Sequence, residues 1–224
     1  MSDAANTGLP SDHPGRPATP QVQTSGFATP APSSGSRFAL SVLRLLGWKI
    51  DYPGGLPSAQ GLMIIAPHTS NWDVPMGVLY KWGLGLPLNF WAKHSLFGLP
   101  LIGPLLRAVG GLPVNRQNPA GLVEQMADSL RTAKAENRFQ WLVITPEGTR
   151  KATAQWRSGF YRLALASGVP VVLAYIDYAH REIGFDRAVI FSGDLEADIA
   201  VVAEAYARRE GLNRSGKSPV RWRA

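Results

Sequence analysis

The chain contains no cysteine. That excludes disulfides, thiolate-held metals and a cysteine nucleophile, and nothing in the sequence points to an oxidising compartment. Histidine is scarce too. The four residues His13, His68, His94 and His180 are hard to assemble into a multi-histidine metal site, so none is expected. Charged side chains make up only 17% of the chain against 45% hydrophobic ones. Some apolar surface is therefore expected to face something other than water. No secretory signal is visible, because the first apolar block starts at Phe38 and lacks an upstream basic region. No uninterrupted apolar run reaches the roughly 18 residues that a spanning helix needs. The nearest candidate, residues 84–114, is broken by Lys93, His94, Arg107 and several prolines and glycines. The expected location is peripheral, on the cytoplasmic face of a membrane.

The positive charge is uneven. Residues 207–224 carry six basic side chains (Arg208, Arg209, Arg214, Lys217, Arg221, Arg223) and one acid, Glu210, which leaves five of the formal net charge of +7. Such a tail is either a solvated end or a meeting point for anionic lipid, a phosphorylated co-substrate or an acidic carrier protein. Nucleic acid is not expected, since the charge is terminal and no recognition helix or aromatic-basic sheet motif accompanies it.

Residues 1–36 are rich in Pro, Ser, Thr, Gly and Ala and read as a disordered arm. Residues 37–50 then read as a short amphipathic helix. Arg37, Ser41 and Arg44 share one face, Phe38, Leu40, Val42, Leu43, Leu45 and Leu46 cover the rest, and Trp48 sits at the end. Both a membrane-surface helix and a helix packed on its own domain fit this pattern. Strand-like and helix-like blocks alternate from there on. Short apolar runs at 61–66, 88–92, 112–115, 140–145, 169–176 and 188–191 read as strands. Helical patterns cover 74–82, parts of 95–109, 119–137, 160–167 and 198–209, with Gly168 in the expected C-terminal position of one of them. The pattern predicts one α/β domain over 37–206, with a mostly parallel or mixed sheet flanked by helices.

Three polar segments stand at the ends of apolar strands, where α/β folds place their sites. In Pro67-His-Thr-Ser-Asn-Trp-Asp73, a histidine directly follows a strand and an acid follows five residues later, at a helix start. A carboxylate that orients a histidine makes a general base. Taken alone, Asp73 is equally a helix cap, as are Ser70 and Asn71. Thr145-Pro-Glu-Gly-Thr-Arg150 offers a glycine turn and an arginine able to grip a phosphate through two hydrogen bonds. Its Glu147 is placed either to pair with Arg150 or to hold a substrate hydroxyl. Gly110-Gly-Leu-Pro-Val-Asn-Arg116 ends a brief strand with another arginine.

In order and separation, these segments resemble the 1-acylglycerol-3-phosphate acyltransferases and related glycerolipid acyltransferases, over about Leu62 to Ile176. Val169-Pro-Val171 matches a further stretch of that family, and Lys93 stands where a basic-apolar motif begins. The resemblance implies an O-acyltransferase that needs no cofactor or metal. His68 would be the base and Asp73 its orienting partner. Glu147, Gly148, Thr149 and Arg150 would lie in the acceptor site, and Arg116 and Lys93 would complete a positive pocket for the acceptor phosphate. The implied partners are a lysolipid acceptor, acyl-CoA or acyl carrier protein as donor, and a membrane surface. Pro113, Asn115 and Thr145 depart from common family residues, which leaves the acceptor headgroup open. A hydrolase in which His68 activates water, and a lipid-binding protein without turnover, are the competing readings.

Overall fold

The computed structural model describes residues 17–114 and 119–223. Among them, eight strands form one mixed sheet: β1 (Gln21–Gln23), β2 (Lys49–Asp51), β3 (Gln60–Ile65), β4 (Leu88–Lys93), β5 (Gly111–Val114), β6 (Gln140–Ile144), β7 (Val171–Asp177) and β8 (Glu182–Ile190). The helices are α1 (Arg37–Leu45), α2 (Asp73–Gly83), α3 (Ile102–Ala108), α4 (Pro119–Ala135), α5 (Gly159–Ser167) and α6 (Leu195–Tyr206). The strand order is β1-β8-β7-β3-β6-β4-β5, with β2 also paired to β8. Pairs β7–β3, β3–β6, β6–β4 and β4–β5 are parallel. The β7–β8 hairpin and β1 add antiparallel edges.

Both faces of the sheet are covered, and strand periodicity assigns residues to them. Along β3, Leu62 and Ile64 join a core with Leu130 of α4, Phe160 and Leu163 of α5, and Val202 of α6. Met63 faces the opposite core, with Leu43 of α1, Met76 and Tyr80 of α2, and Trp141. The period-2 split recurs in β7, where Val171, Leu173 and Tyr175 oppose Val172, Ala174 and Ile176. Gly168 ends α5 with φ 64°, the left-handed conformation that glycine adopts without strain.

Three expectations are corrected. The arm over 1–36 is ordered from its second half onward. β1 pairs with β8, Thr29 bridges Leu56, Phe27 is buried, and the Ser36 hydroxyl caps α1 by accepting from the Ala39 N–H. Paired backbone, one buried aromatic and a cap suffice to hold a segment whose composition alone argues for disorder. Residues 1–16 lie outside the described residues. The helix expected over 37–50 stops at Leu45, because Gly47 turns with φ 79° and Lys49–Asp51 then pairs with β8. The basic tail, finally, packs. Trp222 is buried against Trp156, Phe160 and Tyr161, and Arg209 lies over the Tyr175 ring at 3.5 Å while pairing with Glu182 at 3.3 Å. Arg208, Arg214, Arg221 and Arg223 remain exposed.

Candidate active site

The parallel register of the central strands assembles the site. Ile64 of β3 is the partner of Ile144 of β6, so the segments that follow both strands leave the same edge of the sheet as neighbours. His68 comes four residues after one, and Glu147 three residues after the other. A spacing of five would not align His68 and Asp73 along a helix. Here residues 68–70 are irregular, Asn71 and Trp72 form a turn, and α2 begins only at Asp73. The turn brings His68 Nδ1 to 2.9 Å from Asp73 Oδ2. The contact has ion-pair distance without full hydrogen-bond alignment. Catalytic contacts of this kind commonly tighten only once substrate is bound.

Asp73 is held on both oxygens. Oδ2 also accepts from the Ser70 N–H at 3.1 Å, and Oδ1 accepts from the Tyr178 hydroxyl at 2.9 Å. Ser70 spends its own hydroxyl as an acceptor for the Trp72 N–H, which makes it a turn cap. Burial first, then the charge of Asp73, raises the Tyr178 phenol well above its usual range, so Tyr178 stays a donor at neutral pH. Trp48 supports Tyr178 edge-on, with ring centroids 5.0 Å apart. His68 and Asp73 are 8% and 4% exposed.

Glu147 is placed differently from the substrate-binding position expected of it. It is 2% exposed and absent from the walls of the cleft. Its Oε2 accepts from the His68 N–H at 3.1 Å, and the carboxylate accepts a further backbone hydrogen bond from Ser218. Burial pushes its carboxyl up to about 7, against the opposing pull of those two N–H donors and with a smaller push from the Asp73 charge. Glu147 braces the histidine loop from inside. Gly148 closes the adjoining turn with φ 68°, its N–H donating to the Thr145 carbonyl at 3.1 Å.

A cleft of about 640 Å³ opens beside the dyad. Met63, Ile65, Val78, Phe90, Leu96, Leu106 and Val143 give it an apolar interior, while His68, Asp73, Lys93, Thr149, Arg150 and Arg157 stand in its polar part. Among the described residues that line it, Asp73 is the only carboxylate, and the side chains of Lys93, Arg150 and Arg157 carry no ion pair. The structure thus brings together His68, Asp73, Lys93, Gly148, Thr149 and Arg150. Arg116 lies outside the described residues. Lys81 of α2 also reaches the cleft, and its buried ammonium donates to the carbonyls of Leu88 at 2.5 Å and Val109 at 3.0 Å. No group of three His, Asp or Glu side chains suited to a metal gathers among the described residues.

Sequence reading missed Tyr178, Arg157 and the C-terminal residues that touch the site. Asn213 donates its backbone N–H to Thr69 Oγ1 at 3.0 Å and its side-chain amide to the Thr69 carbonyl at 2.8 Å. No local motif marks any of these positions. Only the clustering of tail polar residues among small ones (Gly211, Asn213, Gly216, Ser218) hinted at close packing.

A base paired with a carboxylate, beside an apolar cleft with unpaired cations, is equipped to deprotonate a hydroxyl on an anionic amphiphile. The chain is 27% identical over 142 residues to a 1-acyl-sn-glycerol-3-phosphate acyltransferase of Limnanthes alba, covering 62% of this chain and 49% of the relative. The Limnanthes douglasii counterpart is 30% identical over the same shares. One from Borreliella burgdorferi is 26% identical over 164 residues, 71% of this chain and 62% of the relative. The chain spans about half the length of the plant relatives it matches. The crystal structure of the 1-acyl-sn-glycerophosphate acyltransferase PlsC from Thermotoga maritima superposes with a TM-score of 0.48 at 17% identity, covering 76% of each chain. The family model described as Acyltransferase matches residues 50–177, which include all three strand-end segments and more than half of the sequence, and the chain belongs to that family.

Proposed function

We propose that this chain transfers a fatty acyl group from an acyl thioester to the free hydroxyl of a lysoglycerolipid, with 1-acylglycerol 3-phosphate as acceptor. The observation that carries this reading is the His68–Asp73 pair, 2.9 Å apart at the wall of a mainly apolar cleft whose polar part holds unpaired Lys93 and Arg150. The names of the Limnanthes and Borreliella relatives support the acceptor.

In this mechanism the ring nitrogen of His68 that faces away from Asp73 takes the acceptor hydroxyl proton. The oxygen attacks the thioester carbonyl, the carbon–sulfur bond breaks, and the imidazolium returns the proton to the departing thiolate. Asp73 fixes the ring tautomer and offsets the transient charge, and base catalysis of this kind contributes ~10²–10⁴-fold. Arg150, with Lys93, positions the acceptor phosphate, for which a planar guanidinium is suited. The apolar interior of the cleft takes an acyl chain. Acyl-CoA and acyl carrier protein both fit as donors.

The same reading places the chain on a membrane surface. Phe38 and Leu45 of α1 are 77% and 87% exposed, and Leu101 beside α3 is 86% exposed. Lysine and arginine near such residues favour anionic headgroups, and the cytoplasmic face is the side we assign. Among the described residues no helix is long and apolar enough to cross a membrane.

Mass spectrometry of products from acyl-CoA or acyl carrier protein and a panel of lysolipids tests the reading. Wild type is expected to form diacylglycerol 3-phosphate, and His68→Ala to lose the product at least 10²-fold. Release of free fatty acid without a diacyl product would favour a hydrolase. Equal yields from both proteins would remove His68 as the base.

A further inference from the structure

The residues that hold the dyad in place are themselves held by a part of the chain outside the matched family segment 50–177. After α6, the chain runs back across the strand-end loops and touches each in turn. The Glu210 carbonyl accepts from the Tyr178 N–H at 2.9 Å, the residue whose hydroxyl bonds Asp73. Asn213 makes its two hydrogen bonds to Thr69, the neighbour of His68. Ser218 donates its backbone N–H to Glu147, which accepts the His68 N–H, and its hydroxyl accepts from the Thr153 N–H.

The fit leaves little slack. Thr69 is 1% exposed. A Cβ added at Gly211 would fall 2.3 Å from Thr69 Oγ1, and one at Gly216 would fall 2.9 Å from the Arg150 carbonyl oxygen. Beyond these contacts, Arg221 accepts from the Trp156 N–H at 2.7 Å and Trp222 enters the core, which anchors the far end. The anchor combines the buried Trp222 ring with the Arg221 guanidinium, which donates to the Ala154 carbonyl at 2.7 Å, whereas each hydrogen bond from residues 210–218 to the dyad loops comes from a neutral donor or acceptor.

We infer that residues 210–218 form a positioning strap for the His68–Asp73 pair, and that the strap acts on turnover through the neutral Asn213–Thr69 hydrogen bonds, while the charge of the basic tail does not set the rate. Asn213 and Thr69 touch no reacting atom. They hold the loop that carries the base. Two bonds to one residue fix both the position and the rotation of that loop, and the productive window for a base is narrow, since a displacement of ~1 Å costs up to ~10²-fold in rate. The inference rests on the acyl-transfer reading for its kinetic form only.

The test compares wild type with Asn213→Ala, Thr69→Val, Thr69→Ser and Arg223→Ala in steady-state kinetics, thermal melting and nitrogen NMR titration of His68. Asn213→Ala and Thr69→Val are each expected to lower kcat about tenfold, with donor KM changed less than about twofold and folding retained. Thr69→Ser keeps the acceptor hydroxyl and restores most of the rate. Arg223, exposed and outside the strap 210–218 in sequence, is expected to turn over like wild type when changed to Ala. Undiminished kcat in Asn213→Ala and Thr69→Val would overturn the strap, as would losses that track the folded fraction or an equal loss in Arg223→Ala. If wild type transfers no acyl group, the functional reading falls and the titration decides the strap. A His68 titration displaced in Asn213→Ala sustains it, and an unchanged one refutes it.

Discussion

The hydroxyl of Tyr178 donates to Asp73 Oδ1 at 2.9 Å, across 105 residues of sequence. It occupies the one carboxylate oxygen that His68 and Ser70 do not use, so Asp73 cannot rotate without losing a bond. Tyr178→Phe keeps the ring that Trp48 supports and removes only this donor. The expected outcome is a three- to tenfold fall in kcat, about 1 kcal/mol in transition-state stabilisation, with donor KM little changed. Asp73→Asn, which removes the orienting charge itself, is expected to cost far more, ~10²–10⁴-fold.

Glu147 links the site to pH-dependent stability. Burial raises its carboxyl from its ordinary 4.5 to about 7 in the folded state. Between those values the folded protein holds a proton that the unfolded chain has released. Its contribution to stability is therefore greatest at the acid end and declines as pH rises from about 4.5 through 7. Denaturant melts of wild type and Glu147→Gln across that range check the sign. The wild type should lose on the order of 2 kcal/mol relative to the glutamine variant between the two limits. A difference that grows in the opposite direction would remove burial as the governing influence on this carboxyl.

Gly77 of α2 lines the cleft, and a Cβ built there meets nothing within 4 Å. Gly77→Ala should thus stabilise the protein by about 0.5–1 kcal/mol through helix propensity alone. Gly77→Leu extends into the same space, where an acyl chain would lie. It is expected to shift preference toward shorter donors, measured as the kcat/KM ratio along a series of acyl-CoA chain lengths. An unchanged ratio would place the acyl chain elsewhere.

Gly148 is constrained twice. Its φ of 68° disfavours a side chain, and an added Cβ would fall 2.6 Å from the Nε of Arg157. The arginine side chain can yield, so the backbone dominates the cost. Gly148→Ala is expected to lose about 1–2 kcal/mol in denaturant melts. Acceptor KM should rise more than donor KM, since the turn carries Thr149 and Arg150.

Much of this protein was legible before any tertiary contact was known. Strand and helix periods are local properties of the backbone. Runs such as 61–66 and 140–145 thus declared their strands within a residue of Gln60–Ile65 and Gln140–Ile144. The positions of His68 and Asp73 at a strand end and a helix start followed from the same periods. Family resemblance in Pro146-Glu-Gly-Thr-Arg150 singled out Gly148, Thr149 and Arg150, which line the cleft beside His68.

What the tertiary structure alone decided lies at long sequence separation. Glu147 has the residue type of a substrate ligand, yet its neighbours are the His68 and Ser218 N–H groups, and burial makes it an internal brace. Residues 21–36 read as unstructured because composition records propensity, while β1 is held by pairing with β8 some 165 residues away. The basic tail read as either a solvated end or an anion-meeting surface, because its charges are visible in sequence and the pocket that accepts Trp222 is not. Local periods come from backbone geometry and are written residue by residue. Which donor meets which buried carboxylate depends on the register of a sheet assembled from the whole chain.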